Sequence, residues 1–188
     1  MSETQASYGA FVRRLFNRSG DPSKDFAHAI LGIATEIHEF LSATDEVNAL
    51  EERGDLRFYQ EALQQVVLDF TGTALLPRDP ESLVQLFEEA DDVGVSVVIA
   101  SLVNSLLDDA KRWVGYGKEP KSLNEVVHCA LDLIEFVSVN GQYRIIDEDR
   151  IIAANMAKLL VRYPGGDFDQ YRALVRDLDG ERAVLASA

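Results

Sequence analysis

Cysteine is almost absent from this sequence, because Cys129 is the only one among 188 residues. A single cysteine excludes an intramolecular disulfide framework, and it is typical of a buried apolar side chain in a reducing compartment. The sequence also lacks an apolar segment near its N-terminus, so no secretory signal peptide is indicated. We therefore expect a cytoplasmic protein.

Long uncharged runs are missing too. The longest one, residues 93–107, has 15 residues and contains Ser and Asn, whereas a membrane-spanning helix needs about 20 apolar residues. We expect this run to form a buried helix, and we expect no membrane partner. Apolar residues still make up 47% of the chain, enough for a core in a single domain over residues 1–188.

Positive charge is scarce, since 18 Lys and Arg residues face 32 Asp and Glu residues and the net charge is −14. Such a chain lacks the basic surface that general nucleic-acid binding requires, so we expect no nucleic-acid partner. A nucleotide substrate is not excluded, because bound metal ions can supply the positive charge. The sequence has no P-loop, no G-x-G-x-x-G motif and no His and Cys at a zinc spacing.

The sequence also lacks strand patterns, because in no segment do apolar and polar residues alternate with period two, whereas helix start and stop signals recur. The sequence therefore predicts an all-α fold, a helical bundle. The predicted helices cover about residues 1–19, 24–42, 46–70, 80–91, 93–114, 123–139, 147–162 and 168–184. The clearest start signals are Asp79-Pro80, Ser122-x-x-Glu125, Asp147 and Asp167-x-x-Gln170.

Two acidic pairs carry the functional signal. Glu36/Glu39 and Glu52/Asp55 each have the i,i+3 spacing that places two side chains on one helix face. A turn signal at residues 42–45 separates the pairs and predicts an antiparallel hairpin of two helices. Two facing helices would bring the four carboxylates together.

The second pair is the more informative one. On a helical wheel at about 100° per residue, Glu52 and Asp55 fall on the apolar face, and the opposite face with Arg53 and Arg57 is expected to be solvated. Carboxylates directed at a core are costly unless they are paired or bind metal, and few cations are near in sequence. Residues 20–72 thus predict a site for a hard divalent cation, Mg²⁺ or alternatively Mn²⁺. The alternative is that these acids are ordinary surface residues of an acidic protein and bind no metal.

The order E-x-x-E, twelve residues, E-x-x-D resembles the MazG-like, all-α nucleoside triphosphate pyrophosphohydrolases. The segments His28–Glu36 and Glu51–Tyr59 carry the resemblance, and it resumes near residues 155–164. It implies a Mg²⁺-dependent hydrolase that converts a (d)NTP and water into a (d)NMP and pyrophosphate. In such an enzyme Glu36 or Glu39 would be the general base.

The second part of the resemblance is a basic helix face near the C-terminus. Asn155, Lys158 and Arg162 have the spacing i, i+3, i+7 and share one helix face. The string around them resembles the family segment in which Asn and basic side chains meet the nucleotide. It implies that Asn155 contacts the nucleotide and that Lys158 and Arg162 contact phosphate oxygens. The alternative is that these cations only stabilise a helix C-terminus. Tyr59, on the same face as Asp55, is predicted to cover the sugar or base.

Residues 93–140 resemble a degenerate second copy of the acidic hairpin. The tract Lys111–Lys118 matches one that many family members carry between their acidic helices. Aligned on it, the metal positions fall on Leu102, Ser105, Glu125 and His128, of which three are not acids. An ordinary helical insertion is the alternative. We predict one intact site, with phosphate-contacting helices over residues 147–184, in a chain that is either self-sufficient or a homodimer.

Two other functions remain open at this point. A phosphoribosyl-ATP pyrophosphohydrolase would share the acidic-helix scheme, but the extra helices and the length of this chain disfavour it. A non-catalytic nucleotide-binding or assembly protein would retain at most residual metal affinity. The complete set of four acids disfavours that alternative, because an inactive copy is expected to lose them.

Overall fold

The computed structural model describes residues 3–145 and 147–188. Within those ranges the regular structure is entirely helical, so the prediction of an all-α fold is confirmed. The helices are, in chain order, α1 (Glu3–Leu15), α2 (Pro22–Leu41), α3 (Glu46–Thr71), α4 (Pro80–Val93), α5 (Val95–Tyr116), α6 (Leu123–Asn140), α7 (Glu148–Arg162), α8 (Gln170–Leu174) and α9 (Leu178–Ala186). None of the described helices has both the length and the apolar character that crossing a membrane requires.

Short polar side chains begin several helices where the sequence predicts them. Asp79, Ser122 and Asp147 each accept a hydrogen bond from a backbone N–H two or three residues later. These bonds satisfy N–H groups that have no partner inside the helix. Gly117 ends α5 with a φ of 63°, a left-handed conformation that glycine adopts without strain. Local chemistry therefore sets the starts of α4, α6 and α7 and the end of α5.

Helices α2 and α3 pack along each other and are connected by residues 42–45. Gly32 lies against the ring of Tyr59, and further along α2 Glu36 hydrogen-bonds to Glu52, so the two helices run in opposite directions. A Cβ atom at Gly32 would overlap the tyrosine ring. The missing side chain therefore lets the ring of Tyr59 lie flush against α2.

Helices α5 and α6 form a second pair that packs on the first, α5 against α2 and α6 against α3. Helix α4 lies across α5 and α6 and extends the bundle. Phe26 packs against Trp113 with 5.0 Å between ring centroids and ties α2 to α5. The fully buried aliphatic and aromatic side chains between the pairs include Ile30, Ile33, Leu56, Leu63, Leu106, Leu133 and Phe136.

The prediction that residues 93–107 form a buried helix is wrong for one face of α5. Val98 and Ile99 are buried, but Val95 and Val97 are 36% and 54% exposed. Helix α5 is covered by α2, α4 and α6, and the remaining side of the helix faces solvent. Apolar composition alone does not distinguish a helix at the edge of a bundle from one in its centre.

The solvated face predicted for α3 is also wrong at two positions, because Arg53 and Arg57 are only 9% and 7% exposed. Glu148 at the start of α7 covers them, since its carboxylate pairs with Nε of Arg57 and lies 3.9 Å from Arg53. The guanidinium carbon of Arg57 also lies 5.4 Å from the ring centroid of Tyr8. Both covering residues are distant in sequence, so a helical wheel of α3 cannot include them.

The C-terminal stretch 168–184, predicted as one helix, is divided into α8 and α9. Asp177 accepts a hydrogen bond of 3.0 Å from the backbone N–H three residues later and begins α9. Helix α8 is capped by Asp169, which accepts a hydrogen bond of 2.8 Å from the N–H of Arg172, and not by the predicted Asp167. Aspartate side chains that bond nearby backbone N–H groups compete with a continuous helix, which explains the break.

Helix α7 lies against α3 and also contacts α1 and α9. Its close approach depends on Gly54, because a Cβ atom there would lie 2.9 Å from the Cβ of Asn155. Real Cβ atoms do not approach so closely, so either the helices would separate or Asn155 would move. Gly54 therefore places the basic face of α7 directly on the acidic face of α3.

Gly54→Ala should destabilise the protein by about 1–3 kcal/mol, because overpacking outweighs the roughly 1 kcal/mol that alanine gains in a helix. The matched control is Gly115→Ala in α5, where an added Cβ would meet no atom within 4 Å. That control should be neutral or stabilising by up to about 1 kcal/mol. Urea unfolding measures both variants, and equal stabilities would contradict the close packing of α7 on α3.

Candidate functional site

A cavity of about 630 Å³ lies between α2, α3, α7 and the C-terminal helices. This volume is in the range of small-molecule sites. Its lining includes all four predicted carboxylates, Glu36, Glu39, Glu52 and Asp55, together with Tyr59 and Arg162. The fold thus brings six of the eight residues predicted for the site to one cavity, and the other two, Asn155 and Lys158, contact Asp55.

Three of the acids form a cluster that we call the glutamate cluster: Glu36, Glu39 and Glu52. Each offers a carboxylate oxygen, and these oxygens lie within 4.8 Å of one another. Glu39 is exposed, while Glu36 and Glu52 are half-buried between α2 and α3. Carboxylate oxygens at this separation are suitable ligands for a hard cation such as Mg²⁺ or Mn²⁺.

The electrostatics of the glutamate cluster also fit a cation. Burial, reinforced by the neighbouring carboxylates, raises the pKa of Glu36 to about 9. Burial likewise raises the pKa of Glu52, and its hydrogen bond with Glu36 opposes that shift. Without a cation, burial and the crowding of negative charge therefore favour a proton on the cluster. A divalent cation can replace that proton and relieve the repulsion between the carboxylates.

Asp55 lines the cavity beside the glutamate cluster, but both of its oxygens have protein partners. Nδ2 of Asn155 donates a hydrogen bond of 2.9 Å to Oδ1, and Nζ of Lys158 pairs with Oδ2. Lys158 is fully buried and also lies 3.5 Å from Oε1 of Glu51. Few cations lie near these acids in sequence, but α7 supplies one from about a hundred positions downstream.

Two arginines give the cavity a positively charged side. Arg162 and Arg176 line it, and both pair with Glu181 of α9, which is only 1% exposed. Arg162 donates to its two carboxylate oxygens at 3.1 and 2.7 Å, and Arg176 donates at 2.5 Å. Arg176 also lies 3.4 Å from Glu51. Arg176 falls within the predicted helix 168–184, but sequence reasoning did not single it out because no motif marks it; in the structure it lies between α8 and α9.

Hydrogen bonds from Arg162 and Arg176 outweigh the burial of Glu181 and hold the pKa of its carboxyl at about 2. Because this value is below the usual 4.5, the ionised group stabilises the fold above about pH 4.5, and that contribution is lost as the pH falls toward 2.

Glu181→Gln should therefore reduce the free energy of unfolding most at neutral pH and progressively less between about pH 5 and pH 2. Urea unfolding of wild type and variant across this range measures the difference. Glu88→Gln, an exposed change in α4, is the matched control and should show no such pH dependence. A difference for Glu181→Gln that stays constant with pH would contradict the ionised bridge.

Aromatic rings line another part of the cavity. Tyr59 is half-buried, and burial together with the charges of Glu36 and Asp55 raises the pKa of its hydroxyl to about 12. Phe16 and His28 stack with 4.6 Å between ring centroids and 21° between planes. The rings that line the cavity are those of Phe16, His28, Phe58, Tyr59, Tyr163 and Phe168. Apart from Tyr59, sequence reasoning did not assign these rings to the site, because they come from four separate parts of the chain.

The predicted second copy has its own, smaller cavity of about 420 Å³ between α5 and α6. Ser105 and Glu125 line it, two of the positions aligned with metal ligands, while His128 lies 3.0 Å from the carbonyl of Leu76. Cys129 also lines this cavity and is half-buried, where the sequence predicted a buried thiol. Burial raises the pKa of the thiol to about 11. The duplication itself stays a prediction.

No protein-family model matches this chain, and neither the curated proteins nor the solved structures contain a significant match. The function must therefore be inferred from the residues of the cavity. They combine clustered carboxylates, paired arginines and aromatic rings around a space of about 630 Å³.

Proposed function

We propose that this protein is a metal-dependent nucleoside triphosphate pyrophosphohydrolase, which converts a (d)NTP and water into a (d)NMP and pyrophosphate. The observation that carries the proposal is that the glutamate cluster and two arginines line the same cavity of about 630 Å³. Carboxylates that hold Mg²⁺ and arginines that bind phosphate are the two requirements of a triphosphate site. The resemblance to MazG-like enzymes supports the same reaction.

In this proposal Glu36, Glu39 and Glu52 hold Mg²⁺, or alternatively Mn²⁺, together with Asp55. Each oxygen of Asp55 accepts from one protein partner and keeps a further lone pair for the cation. The bound cation would activate a water molecule and neutralise negative charge on the phosphates. In the reaction, the oxygen of a water molecule would form a bond to the α-phosphorus while the bond between the α-phosphorus and the bridging oxygen breaks. The bridging oxygen would leave with pyrophosphate, and a carboxylate of the protein would accept the proton of the water.

Glu39 is the member of the cluster best suited to accept that proton. It is the exposed member, and no hydrogen bond joins it to another described side chain. Glu36 is half-buried and joined to Glu52 by a hydrogen bond, so its carboxylate is less free to reach a water in the cavity. A general base must lie within hydrogen-bond reach of the proton that it removes. We therefore assign Glu39 as the base in addition to its role as a metal ligand, and Glu36 as a metal ligand alone.

Two arginines of the cavity are suited to bind the phosphates of the substrate. Arg162 and Arg176 line the cavity with guanidinium groups whose orientation Glu181 fixes, and planar guanidinium groups bind phosphate oxygens in pairs. Lys158 is fully buried beneath Asp55. We therefore assign Arg162 and Arg176 to the triphosphate, and Lys158 and Asn155 to the orientation of Asp55.

A panel of NTPs, dNTPs and phosphoribosyl-ATP with Mg²⁺ tests the proposal, with pyrophosphate and phosphate measured separately. We expect pyrophosphate from at least one nucleotide, and none when EDTA removes the metal. Release from phosphoribosyl-ATP alone would support the alternative hydrolase. Nucleotide binding without any pyrophosphate would overturn the enzyme proposal and favour the non-catalytic alternative.

A further inference from the structure

A chain of two hydrogen bonds connects α1 to the cavity. The hydroxyl of Tyr8, which is fully buried, donates a bond of 2.8 Å to Oδ1 of Asn155. Nδ2 of Asn155 in turn donates a bond of 2.9 Å to Oδ1 of Asp55. Asp55 lines the cavity beside the glutamate cluster. Tyr8 itself does not line the cavity, so any effect on the site must pass through Asn155.

We propose that Tyr8 is a positioning residue, whose hydroxyl fixes the amide of Asn155 and thereby holds Asp55 in place beside the glutamate cluster. This inference rests on the proposed function, because it assumes that the cluster binds metal. A side-chain amide has two donors on one side and an acceptor on the other. With Oδ1 of Asn155 occupied by the hydroxyl, only Nδ2 can face Asp55. A reversed amide would set an oxygen against the carboxylate.

The tyrosine is itself held in a fixed position. The guanidinium of Arg57 lies 5.4 Å from its ring centroid, and Nε2 of Gln65 donates a bond of 2.7 Å to the carbonyl oxygen of Gly9. Both partners belong to α3, the helix that carries Asp55. Burial raises the pKa of the Tyr8 hydroxyl well above its usual value of 10, so it remains a donor.

The two oxygens of Asp55 have different partners, and this explains why the amide matters. Lys158 pairs with Oδ2, while Asn155 occupies Oδ1. An ammonium group is a point charge that accepts any direction of approach, so Lys158 alone does not fix the plane of the carboxylate. The second bond, from the oriented amide, fixes that plane. Partners that orient the residues of a metal site commonly change metal affinity or activity about 10- to 100-fold.

The test compares Tyr8→Phe with Tyr143→Phe. Each variant loses one hydroxyl, since Tyr143 donates a bond of 2.8 Å to the carbonyl oxygen of Thr44 outside the cavity. Titration calorimetry with Mn²⁺ alone measures metal affinity, urea unfolding measures stability, and pyrophosphate release gives kcat and KM. We expect Tyr8→Phe to bind Mn²⁺ about tenfold more weakly and to lose kcat about tenfold, with little change in KM. Tyr143→Phe should retain wild-type values.

Wild-type Mn²⁺ affinity and kcat in a folded Tyr8→Phe protein would overturn the proposal, and so would equal losses in both variants. If Tyr8→Phe does not fold, Asn155→Ala removes the link itself, and unchanged Mn²⁺ affinity in that variant would overturn it. If the wild type binds Mn²⁺ but releases no pyrophosphate, only the proposed function is overturned. The Mn²⁺ affinities of wild type and Tyr8→Phe would still test the role of Tyr8. A wild type that binds no Mn²⁺ overturns both.

Discussion

Glu52→Gln should lower pyrophosphate release by about a thousandfold, because a metal carboxylate contributes several kcal/mol to the transition state and each 1.4 kcal/mol is a factor of ten. Glutamine keeps the size of the side chain and a group that can hydrogen-bond to Glu36. The packing of α2 on α3 should therefore persist. Without a cation the variant should be at least as stable as wild type, because it removes one of the crowded negative charges.

Circular dichroism and thermal unfolding with and without Mg²⁺ separate a lost site from a lost fold. Wild type should gain thermal stability with Mg²⁺, and Glu52→Gln should keep its helicity but gain none. Glu88→Gln in α4, exposed and outside the cavity, should behave like wild type in both assays. Near-normal turnover in Glu52→Gln or in Asp55→Asn would show that the site is misplaced.

Lys158→Met should destabilise the protein by about 3 kcal/mol, because it leaves the largely buried carboxylate of Asp55 without its charged partner. Methionine fills a similar volume, so the loss reports charge and not a cavity. Lys24→Met is the matched control, since Lys24 is 64% exposed and its ion pair with Asp21 lies on the surface. That change should alter the free energy of unfolding by less than about 1 kcal/mol.

The double variant Lys158→Met with Asp55→Asn identifies the cause. A neutral amide needs no counter-charge, so the second substitution should restore most of the stability lost in the first. Urea unfolding of the two single variants and the double variant gives the coupling free energy directly. Additive losses would mean that Lys158 stabilises α7 by packing alone.

The acidic pairs could be predicted from the sequence because their signal is local. The i,i+3 spacing and the turn at residues 42–45 are both contained in one short stretch, and periodicity suffices to place Glu36 and Glu52 on facing helices. Capping residues such as Ser122 are equally local. The same reasoning failed for Arg53 and Arg57, because Glu148, which covers both, lies beyond three further helices.

The partners of the site could not be predicted for a related reason. The basic face of α7 was recognised from its spacing, but nothing local shows that Lys158 is buried against Asp55 or that Asn155 receives a hydrogen bond from Tyr8. Arg176 lines the cavity, where it pairs with Glu181 and lies close to Glu51. Each of these contacts depends on how α1, α7 and α9 pack on α3, and single-helix periodicity carries no information about that packing.

The separation between α3 and α7 along the chain bears on the order of folding. The pairing of α2 with α3 is local and closes through a short connection, and contacts near in sequence form early. Lys158 follows Asp55 by 103 residues, so a nascent chain exposes its crowded carboxylates well before their lysine emerges from the ribosome. The hairpin must therefore pass through a stage in which its charges repel without compensation. Divalent cations should relieve this repulsion and speed the formation of the hairpin. Stopped-flow refolding of the full chain with and without Mg²⁺ would record the difference in rate.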